Sequence, residues 1–520
     1  EYRVSFTKNG DLAFFQHIMP DSLSGDSLPS DIAYNIAIMF LKNMTKIEWE
    51  EKDWKLQIRR ETQRDNRLDH YFQWENKLYG YYDKHDGHAD KSTIRMSIKV
   101  NGSQVARYNS WLEVADDTNK EFVSWAFIKQ FLDRFQDFVM SFIVIISLLV
   151  SLFYFKISTN WKIAARYTLF LFCIYLIKGL LEIPWNIYDF ASEDSFLGSI
   201  AMQSLEILLD SLYFSVSFLL MIAAGEKLYR YIFPDHLSFA NILNPSSYSS
   251  KLFFNNYSAG IVFSLCILAF TGIYYSLINS SGYYIAFPHL DFNQLLTYNP
   301  LLYILSSGIH STLYNVLPYI LLILFFYLLT SSKVISISMA SLLVSIQGAL
   351  DTDPIILGSV YLFIIGIASG YMLFKFGIVS LIISTLSVKI LSDVFLYFYT
   401  TQLYFNTTGV IVILLLDFPL IYFLLYQLKH GESRDSSDLL NSAIPESEHI
   451  VSDPIIPQIE PTQPNYNKWG LVLFIVGILC LFVPNNNKFN ELFYFKVSKS
   501  EALEKTKNIN IPRITCKTRK

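Results

Sequence analysis

Gly409-Val410-Ile411-Val412-Ile413-Leu414-Leu415-Leu416-Asp417-Phe418-Pro419-Leu420-Ile421-Tyr422-Phe423-Leu424-Leu425-Tyr426-Gln427 holds a single ionisable acid or base, Asp417, in nineteen residues. No face of a helix built from it would suit water, and its length matches the roughly 20 residues an α-helix needs to cross a ~30 Å hydrocarbon core. It is read as a membrane span. Similar runs lie at 137–155, 167–185, 204–224, 258–278, 303–330, 334–350, 355–374, 377–399 and 469–484, which makes ten segments. The run at 303–330 is overlong, and a surface helix is expected before Pro318. Across the 520 residues, 52% hydrophobic and 16% aromatic content, a charge of −4 and a mean hydropathy of +0.31 exclude a wholly soluble, disordered or nucleic-acid-binding chain. The expected fold is a polytopic α-helical membrane protein of about ten transmembrane helices with an extracytoplasmic α+β N-terminal domain.

Basic residues orient the spans, because Lys and Arg are retained on the cytoplasmic side. With residues 1–136 outside, the inner loops and flanks hold eleven: Lys156, Lys162, Arg166, Lys227, Arg230, Lys251, Lys333, Lys375, Lys429, Arg434 and Lys468. The outer loops 187–203, 279–299, 351–354 and 400–407 hold none. Both termini are therefore expected outside the cytoplasm, and a bacterial inner membrane is the expected location. The four cysteines, Cys173, Cys266, Cys480 and Cys516, supply no disulfide framework and no metal motif. The chain opens Glu1-Tyr2-Arg3, and it is expected to be a fragment.

Residues 1–134 read as the α+β domain. Arg3–Thr7 alternates and is closed by Asn9-Gly10, Asp31–Asn43 is an amphipathic helix, and Ser92–Val100 alternates before a turn at Asn101-Gly102. Residues 135–225 carry the first three spans, 226–427 the main membrane core, and 469–485 the last span. Between them, 428–468 mixes Glu432, Asp435, Asp438, Glu446, Glu448, Asp453 and Glu460 with Ser and Pro, the composition of an unstructured cytoplasmic tether. Residues 486–520 look like a strand entering a helix capped by Ser498 or Ser500, a possible second outer domain beginning.

Charge inside hydrocarbon costs several kcal/mol, so ionisable residues within spans carry information. Lys178 and Glu182 share one helix face, as do Glu206 and Asp210 on the next span, and one cation and three carboxylates are expected to meet between them. Lys389 and Asp393 form a further pair, and Asp417 precedes Pro419. Mutual neutralisation that fixes helix packing outweighs the reading as an ion or substrate path, since no inverted repeat with broken helices is visible. Outside the membrane, His85-Asp86-Gly87-His88-Ala89-Asp90 reads as a solvated turn rather than a metal site. Neither a cofactor nor a metal is expected. A phosphate-binding Gly loop, a His-Glu-x-x-His pair and a serine nucleophile elbow are lacking from the sequence.

Ala224-Gly225-Glu226-Lys227-Leu228-Tyr229-Arg230-Tyr231-Ile232-Phe233-Pro234, together with Gly366-Ile367-Ala368-Ser369-Gly370-Tyr371-Met372-Leu373-Phe374-Lys375-Phe376-Gly377, resembles bacterial CAAX prenyl protease-like membrane proteins, the CPBP or Abi family. The resemblance covers about 200–390. It implies a CPBP-like helical core and a water activated by a Glu and held by His, through motifs EExxxR, FxxxH and a last His followed four residues on by Asn or Asp. General-base chemistry of that kind needs a carboxylate and its orienting partners within hydrogen-bond reach. Laid on this chain, the first motif falls on His310-Ser311-Thr312-Leu313-Tyr314-Asn315, the second on Leu343 to Gln347, and the third on Thr385 and Lys389. No carboxylate remains at these positions.

The sequence therefore points to a motif-degenerate member, a pseudoenzyme serving as scaffold, sensor or regulator through its outer domain. Its degenerate positions are His310, Ser311, Asn315, Gln347, Thr385 and Lys389. Partners are the lipid bilayer and a peptide or protein at the outer domain, with no nucleic acid. One alternative is a divergent, metal-independent intramembrane CAAX-type peptidase of the glutamic type. Another is a membrane transporter built around Lys178, Glu182, Glu206 and Asp210.

Overall fold

The computed structural model describes residues 2–6, 11–19, 22–44, 51–82, 91–113, 116–153, 158–188, 196–242, 244–280, 292–348, 355–398, 402–431 and 437–443. The chain divides into two compact units, Glu1–Ile128 with Asn485–Lys520, and Lys129–Pro484. The expected second domain at 486–520, the tenth span at 469–484, the turn at 85–90 and the turn at Asn9-Gly10 lie outside the described residues.

In the first unit, β1 (Tyr2–Phe6), β2 (Leu12–His17), α1 (Ser30–Met44), β3 (Trp54–Arg64), β4 (Arg67–Tyr82), β5 (Lys91–Asn101) and β6 (Gln104–Glu113) form one antiparallel sheet and one helix. The strand order is β1-β2-β6-β5-β4-β3. Alternation puts Phe72, Trp74, Met96, Ile98 and Tyr108 on one face, with Phe72 opposite Ile98, and Ile98 opposite Tyr108. Helix α1 lays Ala33, Ala37, Phe40 and Leu41 on that face, the spacing of an apolar stripe. The small residues let it approach closely, and Asp31 and Lys42 suit its opposite ends.

The hairpin tips are pinned by the preceding segment. Gly102 takes φ +59, and an added Cβ would lie 3.0 Å from the Asp26 nitrogen, so the Asn101-Gly102 turn needs its glycine. Arg67, buried, donates to Asp69 at 2.8 Å and to the Leu23 carbonyl at 2.9 Å, while His70 Nε2 sits 2.9 Å from the Leu28 carbonyl. A polar segment is held here by side chains because it has no ladder partner.

The second unit holds α2 (Asp116–Phe153) from Lys129 on, α3 (Trp161–Tyr188), α4 (Phe196–Ile232), α5 (Lys251–Ser280), α6 (Pro300–Thr330), α7 (Lys333–Gly348), α8 (Ile355–Phe376), α9 (Ile378–Phe398) and α10 (Leu403–His430). Among the described residues, eight helices are long and apolar enough to cross a membrane. The remaining apolar one, α7, is a 16-residue helix packed on α8. Exposed Leu, Ile and Phe side chains cover the outside of these helices, a surface that hydrocarbon solvates and water does not.

Helix α6 is the buried centre, and it corrects the expected surface helix before Pro318: one continuous helix runs from Pro300 to Thr330. Asn299 caps it by accepting from the Leu302 nitrogen at 3.1 Å, with Pro300 in the first turn where its missing N–H costs nothing. Close packing around it uses small residues, as is general in membranes. A Cβ on Gly260 of α5 would fall 2.7 Å from the Ser380 carbonyl oxygen of α9.

One end of the bundle is capped. Residues 233–242 and 244–250 fold back as short turns, and 437–443 lie across them. The Ser238 nitrogen donates to the Leu439 carbonyl at 2.9 Å, the Asn441 nitrogen to the His236 carbonyl at 2.9 Å, and Asn441 Nδ2 to the Phe233 carbonyl at 2.7 Å. Two pieces of 428–468, the stretch read as a plain tether, are thus ordered. Helix α10 continues to His430, and 437–443 is ordered because buried Leu439 and the cap's backbone groups give a polar sequence enough partners. Residues 432–436 and 444–468 lie outside the described residues. Asn441→Ala is expected to raise the rate of proteolysis within 437–443 about tenfold, the equivalent of losing roughly 1–1.5 kcal/mol with one buried hydrogen bond. Limited proteolysis followed by mass spectrometry measures it.

Candidate functional site

Lys162, Arg166, Lys227, Arg230, Lys251, Lys333, Lys375 and Lys429 all sit near helix termini that meet the capped end. The polar residues singled out inside the helices lie elsewhere, in three separate groups.

The first group joins α3 to α6. Lys178 Nζ donates to Glu182 Oε1 at 2.8 Å along one face of α3, and the buried Tyr303 hydroxyl of α6 donates to the same oxygen at 3.0 Å. Thr297 fastens the adjacent turn by donating to the Leu181 carbonyl at 2.9 Å. Next to this group, His310 of α6 stands edge-on to Tyr175 at 4.5 Å and to Phe214 at 5.9 Å, with Tyr314 tilted against it at 6.1 Å. Its Nε2 is buried and has no hydrogen-bond partner among the described residues. Three aromatic rings thus surround the imidazole where the resemblance calls for a carboxylate.

Glu206 and Asp210 do not join this group. A Cβ on Gly179 of α3 would meet the Ile207 side chain at 2.5 Å, so Ile207 fills the α3–α4 contact, and Asp210 beside it stays within electrostatic range of Tyr175 on α3. Glu206 and Asp210 are both exposed, and neither forms an ion pair among the described residues. Among the described residues Lys178 is ion-paired with Glu182 and not with Glu206 or Asp210, so the expected meeting of one cation and three carboxylates is seen as a single ion pair.

The third group is on α9, where Lys389 Nζ donates to Asp393 Oδ1 at 2.8 Å, again along one helix face. Thr385 returns its hydroxyl to the Leu381 carbonyl at 3.1 Å. Asn315 is exposed and donates to the Ser311 carbonyl at 2.8 Å. The Gln347 side chain lies outside the described residues. No hydrogen bond or ion pair connects His310, Ser311 or Asn315 with Thr385 or Lys389 among the described residues.

Sequence reasoning passed over two features. Glu226 and Arg230 are both buried on α4, with Arg230 Nε donating to Glu226 Oε1 at 2.9 Å. Their i, i+4 spacing was visible in the stretch quoted for the resemblance. The second is a cavity of about 250 Å³ next to His310, lined by α3, α4, α5, α6, α9 and α10 and by the cap residues Phe239, Ile242 and Tyr248. No local pattern announces it, since its lining comes from distant segments.

Lys178→Met is expected to lower stability by about 2 kcal/mol, because Glu182 loses its cation while half-buried. The double variant Lys178→Met with Glu182→Leu is expected to recover most of that loss, which denaturant unfolding of the purified proteins measures. No family model, no curated protein and no solved structure matches the chain.

Proposed function

We propose that the chain is a non-catalytic integral membrane protein with a CPBP-like core, serving as scaffold, sensor or regulator through its N-terminal sheet domain. The observation that supports this reading is the fate of the degenerate positions. His310 sits among aromatic rings, Thr385 bonds its own helix, and Lys389 is neutralised by Asp393 one turn on. Of the two carboxylates that act electrostatically on Tyr175, the ring against His310, Glu182 is held by Lys178 and Tyr303 and Asp210 is exposed on α4. A general base must instead be free to take a proton from water within hydrogen-bond reach of the substrate.

The separation of the polar groups also weighs against transport, which would need them to line one path. Gathering of Lys and Arg at the capped end supports that end as cytoplasmic, with both termini outside in a bacterial inner membrane. The outer sheet domain is then the part available to a peptide or protein partner.

Purified protein in detergent is expected to leave quenched fluorescent peptides uncut, prenylated or not. Hydrolysis that disappears in His310→Ala would overturn the reading and install the peptidase in its place.

A further inference from the structure

We propose that the 250 Å³ cavity is a binding site for one alkyl chain bearing a single hydrogen-bonding oxygen, a membrane lipid or lipid alcohol, with Thr312 as its polar contact. Thr312 is 1% exposed, lines the cavity, and its Oγ1 has no partner among the described residues. Most hydroxyls in these helices return to their own backbone, as Ser306 does to the Tyr303 carbonyl at 3.1 Å, Thr330 to the Phe326 carbonyl at 2.8 Å and Thr385 to the Leu381 carbonyl at 3.1 Å; the buried Ser151 and Thr168 hydroxyls also lack a partner among the described residues, but neither lines the cavity. Thr312 does not do this. A buried hydroxyl without a partner is costly, and a ligand oxygen beside it would remove the cost.

The rest of the wall suits a hydrocarbon chain. Leu313, Leu317, Ile382, Ile383 and Leu386 line it, and the wall hydroxyls of Tyr167 and Tyr257 are already engaged by the Phe239 and Leu416 carbonyls at 2.6 and 2.5 Å. An apolar cavity of about 150 Å³ stays dry and takes benzene, so this larger one has room for an alkyl segment. Entry is lateral. Helices α3 and α10 each pack on α6 but not closely on one another, and Phe170, a lining residue on α3, is 40% exposed on the hydrocarbon-facing side. A ligand arriving that way comes from the bilayer rather than from water.

The test equilibrates delipidated protein in detergent with oleyl alcohol or with 1-octadecene, which has no hydroxyl, and counts the probe retained per chain. About one oleyl alcohol per chain is expected, held three- to tenfold more tightly than the alkene, as one hydrogen bond predicts. Thr312→Val should erase that preference while keeping the alkene affinity, and Leu313→Trp should weaken both more than tenfold by filling the space. Equal binding of the two probes to the unaltered chain, or an undiminished preference in Thr312→Val, overturns the assignment. So does Leu313→Trp retaining both probes as the unaltered chain does, since the probes would then be on the protein's outside. If Leu313→Trp does not fold, the two probes on the unaltered chain and on Thr312→Val decide the matter alone.

Discussion

Arg230→Ala is expected to destabilise the helical unit by about 3–5 kcal/mol, the range for leaving one member of a buried ion pair without the other. Glu226 is 2% exposed, and its Oε1 accepts from Arg230 Nε at 2.9 Å while its Oε2 has no hydrogen-bond partner among the described residues. Arg230 also donates through Nη2 to the Ser158 carbonyl at 2.7 Å, and the adjacent Lys227 donates to the Val150 carbonyl at 3.2 Å and to Thr159 Oγ1 at 3.1 Å. Two cations on α4 thus satisfy carbonyls at the end of α2 and in the turn before α3, a favourable place for positive charge. Removing the guanidinium strands a carboxylate and a carbonyl together. Arg230→Ala combined with Glu226→Leu should lose much less, because no charge is left buried. Unfolding midpoints in mixed detergent micelles measure both, and a single variant within 0.5 kcal/mol of the parent would show that the pair is solvated.

Acid is expected to loosen the capped end through His236. The ring is buried, edge-on to Phe233 at 5.0 Å, and packed so tightly under the α8–α9 turn that a Cβ on Gly377 would lie 2.7 Å from its Nδ1. Gly377 has φ +81 as well, so that turn admits the imidazole only with glycine. Burial pushes the His236 pKa down from 6.5 to about 4. Between those two values the unfolded chain holds the proton and the folded chain does not. The contribution is therefore complete above pH 6.5, shrinks as the pH falls, and by pH 4 amounts to a loss of about 3 kcal/mol. The check is the stability difference between the parent and His236→Gln across pH 7 to 4, which removes the background of titrating carboxylates. The parent should lose about 3 kcal/mol more than the variant, and parallel curves would refute the assignment.

What was legible in the sequence follows from where each signal resides. The spans could be read because hydrocarbon demands long apolar runs of every residue it touches, whatever the tertiary packing. Helix α1 and the Asn101-Gly102 turn were readable for a similar reason: a stripe at helical spacing and a residue for a positive φ are local requirements. Strand β3 was not, because it is an edge whose Lys55, Arg59, Arg60 and Glu61 are exposed and break the alternation. Residues 437–443 hid behind a polar composition, since backbone groups of 233–241 hold them and side-chain hydropathy does not report such bonds.

The polar groups show the same division. Lys178 with Glu182 and Lys389 with Asp393 paired as their spacing required, for an i, i+4 pair is settled within one helix. Whether charges on two helices pair depends on the packing between them, and at the Gly179–Ile207 contact Glu206 and Asp210 stay exposed and out of the Lys178–Glu182 pair. Thr312 could not be singled out either, because its lack of a partner is a property of seven converging segments.

Cysteine placement tests the central claim most directly: the helices lie in a bilayer with the capped end, rich in Lys and Arg, facing the cytoplasm. With Cys173, Cys266, Cys480 and Cys516 replaced, Pro245→Cys on the cap and Tyr298→Cys before α6 are each exposed sites at opposite ends of the bundle. A membrane-impermeant maleimide added to intact cells stripped of any outer membrane should label Tyr298→Cys at once and Pro245→Cys only after permeabilisation. Equal labelling of both before permeabilisation, or the reverse order, would contradict the account.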